Sequence, residues 1–230
     1  MSDSDFFRFP HTPHLAWLGA GEPRDDKVLS SAEAAGLLAE PVVVEEKLDG
    51  ANLGVSLDVA GGFRFQNRGQ YLRPPYHGQF ARLGAWLETH AETLFDAMTP
   101  NLLLFGEWCA ARHSLNYDKL PDWWMVFDVY DRAAGRFWSG ERRNALASAH
   151  GLTTVPTLVK AKLTLHDLVS LVQERSSAYR QGPLEGVVIR REGSDWTDAR
   201  AKLVQPGFVQ SMGEHWRHRP LEWNQLARRT

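Results

Sequence analysis

Cysteine is nearly absent: Cys109 is the only one in 230 residues. That excludes an internal disulfide and a zinc site built on cysteines, and a reducing, cytoplasmic setting is expected. No uninterrupted apolar run approaches the about 18 residues that a membrane span requires, so no membrane partner is expected. The N-terminal Met1-Ser2-Asp3-Ser4-Asp5 is acidic and no apolar stretch follows it, so a secretory signal is not legible. Repeats, low-complexity tracts and Pro/Gly/Ser linkers are also missing, which argues for one continuous domain with short appendages. Nine histidines are scattered without the spacing of a metal-binding motif. A metal is therefore expected only as a transient guest of carboxylate and phosphate oxygens, as Mg²⁺ usually is. Excess charge is missing too: the net value of −2 argues against a generic polyanion binder.

The distribution of charge is less even than its total. Residues 1–58 carry −7 and the remainder +5, with Arg217, Arg219, Arg228 and Arg229 close to the C-terminus. Twenty of the 26 basic residues are arginine, the side chain suited to bidentate phosphate contacts. Such a balance permits a local basic face on a near-neutral protein.

Ser30-Ser31-Ala32-Glu33 has the form of a capping box opening a short helix, and Pro41 separates it from the β-branched strand Val42 to Lys47. Asn52 to Val59 and Phe63 to Gln66 read as a hairpin across Gly61-Gly62. Phe80, Leu83, Leu87, Ala91, Leu94 and Met98 recur at helical spacing and predict a core-facing helix over 80–98. Strands are expected at Leu102 to Glu107, Trp124 to Tyr130, Leu184 to Arg190 and Ala201 to Gln205, with helices capped by Ser139 and Thr164 in between. Hairpins with helices inserted between them indicate an α+β fold of largely antiparallel sheets flanked by helices.

The most informative stretch is Glu45-Glu46-Lys47-Leu48-Asp49-Gly50-Ala51-Asn52. A lysine at the end of a strand, just before a glycine turn, is held on a rigid element with its amine facing whatever cleft the turn borders. Such a lysine suits a nucleophile only when the neutral amine is favoured. Glu45 and Asp49 share its face by alternation and oppose that, so an activating cation is expected from elsewhere. Further chemistry-bearing groups follow in order: Asn67-Arg68-Gly69, Phe105-Gly106-Glu107-Trp108, Phe127-Asp128-Val129-Tyr130, Glu185-Gly186-Val187-Val188-Ile189-Arg190 and Arg200-Ala201-Lys202.

Taken together, these segments resemble the collinear motifs of the covalent nucleotidyltransferases, the superfamily of DNA ligases, RNA ligases and mRNA capping enzymes. The resemblance spans Lys47 to Lys202 and implies ATP and a divalent cation, Mg²⁺ or Mn²⁺, as cofactors. It implies Lys47 as the nucleophile that becomes lysyl-AMP, Lys202 and Arg200 as catalytic cations at the α-phosphate, and Phe127 as the adenine platform. Glu45, Arg68, Glu107, Glu185 and Lys202 are implied as nucleotide contacts, with Glu185 also the metal carboxylate. Where the family usually carries two lysines in its last motif this chain has Arg200 and Lys202, and a register shifted to Lys202 and Val204 stays open.

Asn52 belongs to a K-L-D-G-A-N string similar to that of RNA ligases that repair nicked duplexes, and with Arg68 it is an expected substrate contact. The 28 residues after Lys202 are too few for the OB barrel that other ligases append. These features imply an RNA ligase consisting of a catalytic domain over 1–205 and a short helical C-terminal extension over 206–230, with Trp216 and Trp223 as packing residues. The implied substrate is nucleic acid with 5′-phosphate and 3′-hydroxyl ends, RNA rather than DNA and in a nicked duplex, with an end-healing enzyme as a possible partner. A small DNA ligase, a capping-type guanylyltransferase and a non-catalytic end-binding module are the alternatives.

Overall fold

A computed structural model describes residues 6–20, 23, 27–211 and 221–228. Trp216, Arg217, Arg219 and Arg229 lie outside these residues. Among the described residues ten strands form two open, wholly antiparallel sheets. The first contains β1 (Val42–Lys47), β8 (Thr157–Ala161), β9 (Gly186–Glu192) and β10 (Thr197–Val204), in the order β10-β9-β1-β8. The second contains β2 (Ala51–Leu57), β3 (Phe63–Gln66), β4 (Tyr71–Leu72), β5 (Leu102–Trp108), β6 (Trp124–Asp131) and β7 (Arg136–Phe137), in the order β4-β3-β2-β5-β6-β7.

Helices back each sheet. Helix α2 (Leu83–Ala97) buries Leu83, Trp86 and Leu94 against Leu53, Val55 and Leu104 of the six-stranded sheet. Full burial of each such leucine contributes about 1.5–3 kcal/mol. Helices α1 (Ser31–Leu37) and α4 (Leu165–Glu174) cover the other sheet, placing Leu37, Leu168 and Val172 on Val42, Val44, Val187 and Ile189. Ser30 and Thr164 form capping boxes with Glu33 and Asp167, and Ser139 caps α3 (Gly140–Ala149).

Strand alternation now decides what faces what. Val42 and Val44 point into the helix-backed core, so Glu45 and Lys47 project from the opposite face. The same parity places Val188 and Arg190 of β9, and Arg200 and Lys202 of β10, on that free face. The chain then crosses from one sheet to the other within four residues, from Lys47 to Ala51. Gly50 makes the crossing possible, because a Cβ there would lie 2.6 Å from the Trp108 carbonyl oxygen.

Differences from the sequence reading are local. The helix predicted over 80–98 starts at Leu83, because Gly78–Phe80 forms a separate 3₁₀ turn that still buries Phe80. Trp86, rather than Leu87, is the fully inserted side chain, with its indole N–H donating to Asp122 at 2.7 Å. Beyond Gln205 the described residues comprise helix α5 (Pro206–Ser211) and, at 221–228, a strap held by isolated bridges at Trp223 and Leu226. The strap is fastened by Asn224, whose amide donates to the Cys109 and Ala111 carbonyls and accepts from the Tyr117 N–H. Trp223 packs beside the larger core, with the Arg82 guanidinium 4.2 Å over its ring.

Candidate active site

The free faces of the two sheets enclose a cleft of about 560 Å³. Lys47 stands at its centre, at the seam between the sheets. Its Nζ donates to Glu185 Oε1 at 2.6 Å. Glu185 precedes β9, and its position depends on Gly186, where a Cβ would collide with the Leu203 carbonyl oxygen at 2.3 Å. Glu107 arrives from β5, opposite Asn52 of β2, and its Oε1 accepts from the Gly50 N–H at 3.1 Å. Asp49 is fixed by the N–H groups of Ser114 and Leu115, both at 2.7 Å, while its own N–H donates to the Tyr117 hydroxyl.

One ammonium therefore faces three carboxylates in a partly desolvated site. Burial pushes Glu107 and Glu185 each up to about 7, against the pull of Lys47, and repulsion adds to it, from Glu185 and Asp49 on Glu107 and from Asp49 on Glu185. Burial opposes the Lys47 charge, but Glu185, Glu107 and Asp49 outweigh it and hold the amine above its usual value. This corrects the expectation that neighbouring cations depress Lys47. The partner of the Lys47 amine is an anion, and the neutral amine needs that anion to be neutralised.

Glu107 and Glu185 bind protons more tightly in the folded protein than in the unfolded chain, whose ordinary value is 4.5. The stability they contribute is complete below about pH 4.5 and is lost as pH rises through about 7. Glu107→Gln keeps the acceptor for Gly50 and removes the charge. It should raise the stability at pH 8 by about 2 kcal/mol and give no gain near pH 4.5, as read from thermal melts across that range. A gain that does not change with pH would contradict the crowding of carboxylates.

The remaining candidates separate into two ends. At one end Phe127 meets Phe9 edge to face at 5.3 Å, and both line the cleft. Beneath them lies a buried charge network. Glu45 accepts from Arg143 and from Arg190, Arg190 also donates to Asp128 at 2.7 Å, and Arg143 and Arg190 both donate to the Phe127 carbonyl. Glu45, expected as a nucleotide contact, thus has both carboxylate oxygens engaged by arginines and is 1% exposed. Arg200 is bound to Asp128 and lies over the rings of Phe9 and Phe137, at 4.5 and 4.3 Å. It is placed at the aromatic end of the cleft. Lys202 lines the same cleft two residues on, opposite Val188, whereas Val204 is buried.

At the other end lie Arg68, exposed on the turn after β3, and Asn67, whose side chain accepts from Gly69 and Gln70 N–H groups. Asn52 lines this region with a buried Oδ1 that has no hydrogen-bond partner. Glu185 Oε2 is in the same condition. Sequence reasoning missed Arg143, Gln79 and His113. An arginine on a polar helix gives no signal of burial, and the other two come from turns and loops without a recognisable pattern.

The family model for RNA ligase matches residues 40–204, which takes in every one of these cleft-lining strands from Lys47 to Lys202. The chain belongs to the RNA ligase family. A search of curated proteins gives no match. Among solved structures, this RNA ligase family member is similar to a variant of the Naegleria gruberi RNA ligase with ATP and Mn, with a TM-score of 0.70 at 16% identity, covering 92% of this chain and 60% of that one. A second such Naegleria gruberi variant gives a TM-score of 0.65 at 17% identity, over 90% of this chain and 64% of the other. An archaeal ATP-dependent RNA ligase gives 0.58 at 20% identity, over 86% and 48% respectively. The chain therefore spans less than two thirds of the length of these relatives, and the likeness is one of fold. No helix among the described residues is long and apolar enough to cross a membrane.

Proposed function

We propose that the protein is an ATP-dependent RNA ligase whose residues 1–205 form the adenylyltransferase unit. The observation that carries this reading is the position of Lys47, at the seam of two sheets, in a cleft with an aromatic end and cationic side chains from β9 and β10. ATP binds with its adenine against Phe127, because an aromatic face buries a base with little loss of side-chain freedom. The neutral Lys47 amine attacks the α-phosphorus. An N–P bond forms, the bond to pyrophosphate breaks, and the amine gives up its proton. Lys202 supplies positive charge to the α-phosphate oxygens as the transition state gathers negative charge.

Glu185 controls the nucleophile. While charged it keeps Lys47 protonated, and loss of that charge, to a proton or to a cation, lowers the amine's pKa. The site fits a divalent cation on one structural ground: Glu185 lines the cleft and its Oε2 is buried and lacks a partner, an oxygen whose ligand capacity is unused. Among the described residues no cluster of three or more ligating side chains exists, so phosphate oxygens and water would have to supply the remaining ligands. Mg²⁺ or Mn²⁺ bound there would supply positive charge at the phosphate oxygens.

In the second reaction a 5′-phosphate oxygen of RNA attacks the lysine-bound phosphorus, the N–P bond breaks and the amine regains its proton. In the third a 3′-hydroxyl attacks the 5′-phosphate, AMP departs and the strand is sealed. Arg68 and Asn52 are the substrate contacts, and the unpaired amide oxygen of Asn52 suits a sugar hydroxyl, the group that separates RNA from DNA. The substrate is a nicked duplex, its ends prepared by an end-healing enzyme, and repair of RNA in the cytoplasm is consistent with the single, buried thiol of Cys109.

Protein incubated with α-labelled ATP and Mn²⁺ or Mg²⁺, then denatured, should retain label on the polypeptide. Nicked duplexes with RNA or DNA on each side of the nick should then be sealed only where the 3′ side carries ribose. An unlabelled protein defeats the enzyme, and equal sealing of all-DNA nicks defeats the RNA assignment.

A further inference from the structure

A second, larger cleft of about 810 Å³ adjoins the lysine cleft, and the two share three lining residues, Asn67, Gln79 and His113. Those three form a doorway. His113 Nε2 donates to Gln79 Oε1 at 2.8 Å and the ring lies 4.0 Å from Asp49, so the doorway opens on the Lys47 side, away from Phe127 and Arg200. The second cleft reverses the electrostatics of the first. Its described lining carries Arg73 and Arg112 beside His77 and His113, and a single carboxylate, Glu222. Tyr71 and Tyr76 add aromatic rings, and the volume falls in the range that holds small ligands of several hundred Å³.

The single acid is itself informative. Glu222 belongs to the C-terminal strap and its carboxylate accepts from Arg112, while its carbonyl accepts from the Arg112 N–H at 2.9 Å. The two side chains are 36% and 56% exposed, so water and salt screen the pair and it contributes little. A phosphate carries more charge and meets a guanidinium in bidentate geometry. The carboxylate is therefore a placeholder that an incoming phosphate can displace while the strap stays fastened by its backbone and by Asn224.

Resting on the ligase reading above, we infer that this second cleft receives the polynucleotide strand whose 5′-phosphate is to be adenylylated. The 5′-terminal phosphate passes the Asn67, Gln79 and His113 doorway toward Lys47. A following backbone phosphate takes Arg112 from Glu222, and a base rests against the ring of Tyr76, since stacking on an aromatic is tolerant of base identity. The chemistry on offer is that of a phosphodiester strand rather than of a free nucleotide.

The test is a chase from preformed, labelled lysyl-AMP on the full chain, adding a 5′-phosphorylated RNA oligonucleotide in the presence of Mn²⁺ and following transfer of label to RNA. Arg112→Ala should raise the KM for the oligonucleotide tenfold or more and reduce the salt slope of binding by about 1. Glu222→Gln, which keeps a neutral partner for Arg112, should lower that KM severalfold. Because this second variant gains affinity, a folding defect cannot imitate it, and it decides the matter if Arg112→Ala fails to fold. Unchanged KM in Glu222→Gln, with lysyl-AMP forming normally, overturns the strand cleft and leaves the ligase reading intact. Absence of lysyl-AMP in the wild type overturns the ligase reading instead.

Discussion

Lys47→Ala should abolish covalent labelling by α-labelled ATP, with a loss beyond the 10⁴-fold that such assays resolve. Lys202, the other lysine among the described lining residues, comes from a different strand of the sheet, opposite Val188. Lys47→Arg should be equally unlabelled, since a guanidinium stays protonated and cannot attack. The two variants differ in stability. Alanine leaves Glu185, Glu107 and Asp49 facing one another without the ammonium that now attracts all three. Its stability should therefore fall below wild type most at pH 8 and least near pH 5, where protons replace the missing charge. Arginine preserves the charge and should melt close to wild type at both. A labelled Lys47→Ala protein would place the nucleophile elsewhere.

Arg143→Ala should be strongly destabilising. Arg143 is 1% exposed on α3 and donates to Glu45, to the Phe127 carbonyl and to the Asn144 side chain. Its removal leaves the Glu45 carboxylate, also 1% exposed, with Arg190 alone, and Arg190 must still serve Asp128. Breaking a buried ion pair from one side costs about 3–5 kcal/mol. In a chain of this length that corresponds to a melting midpoint lower by roughly 6–20 °C. Glu45→Gln combined with Arg143→Met should cost less than the two single changes together, because no charge is then stranded. The same network holds the Phe127 backbone from two sides, so nucleotide affinity should fall along with stability in Arg143→Ala, measured as the KM for ATP in adduct formation. Purely additive costs in the double variant would dissolve the network.

Both predictions depend on parts of the protein that were unequally legible in the sequence. Strand Val42–Lys47 was readable because valine repeats and the glycine turn after Asp49 bound it, and the order of motifs along the chain was readable because it needs no geometry. The strand Thr157–Ala161 was not. It lies at the edge of its sheet, next to β1, and its half-exposed residues form no apolar run, although it completes the sheet that carries Lys47. Arg143 was illegible for a different reason. Its partner Glu45 is 98 residues away, and an arginine on a polar helix reads as solvated until the fold brings a carboxylate to it. The direction of the Lys47 shift was read wrongly because the cations are visible in the motif list as readily as the acids, while distance, which decides between them, is not. The doorway residues Asn67, Gln79 and His113 sit in turns, where sequence pattern carries little information about neighbours.

The sequence separations within the cleft have a bearing on how the protein comes into being. Lys47 meets Glu185 across 138 residues, and Tyr117, which holds the Asp49 N–H, is itself clamped by Asn224 across 107. Chains are synthesised at about 5–20 residues per second, so Lys47 is made roughly 7–28 seconds before Glu185. The six-stranded sheet from β2 to β7 can close in that interval, and the sheet that holds Lys47 cannot. Lys47 is thus an early residue in a late site: a nascent chain carries its amine in water until β9, β10 and the strap arrive to build the cleft around it.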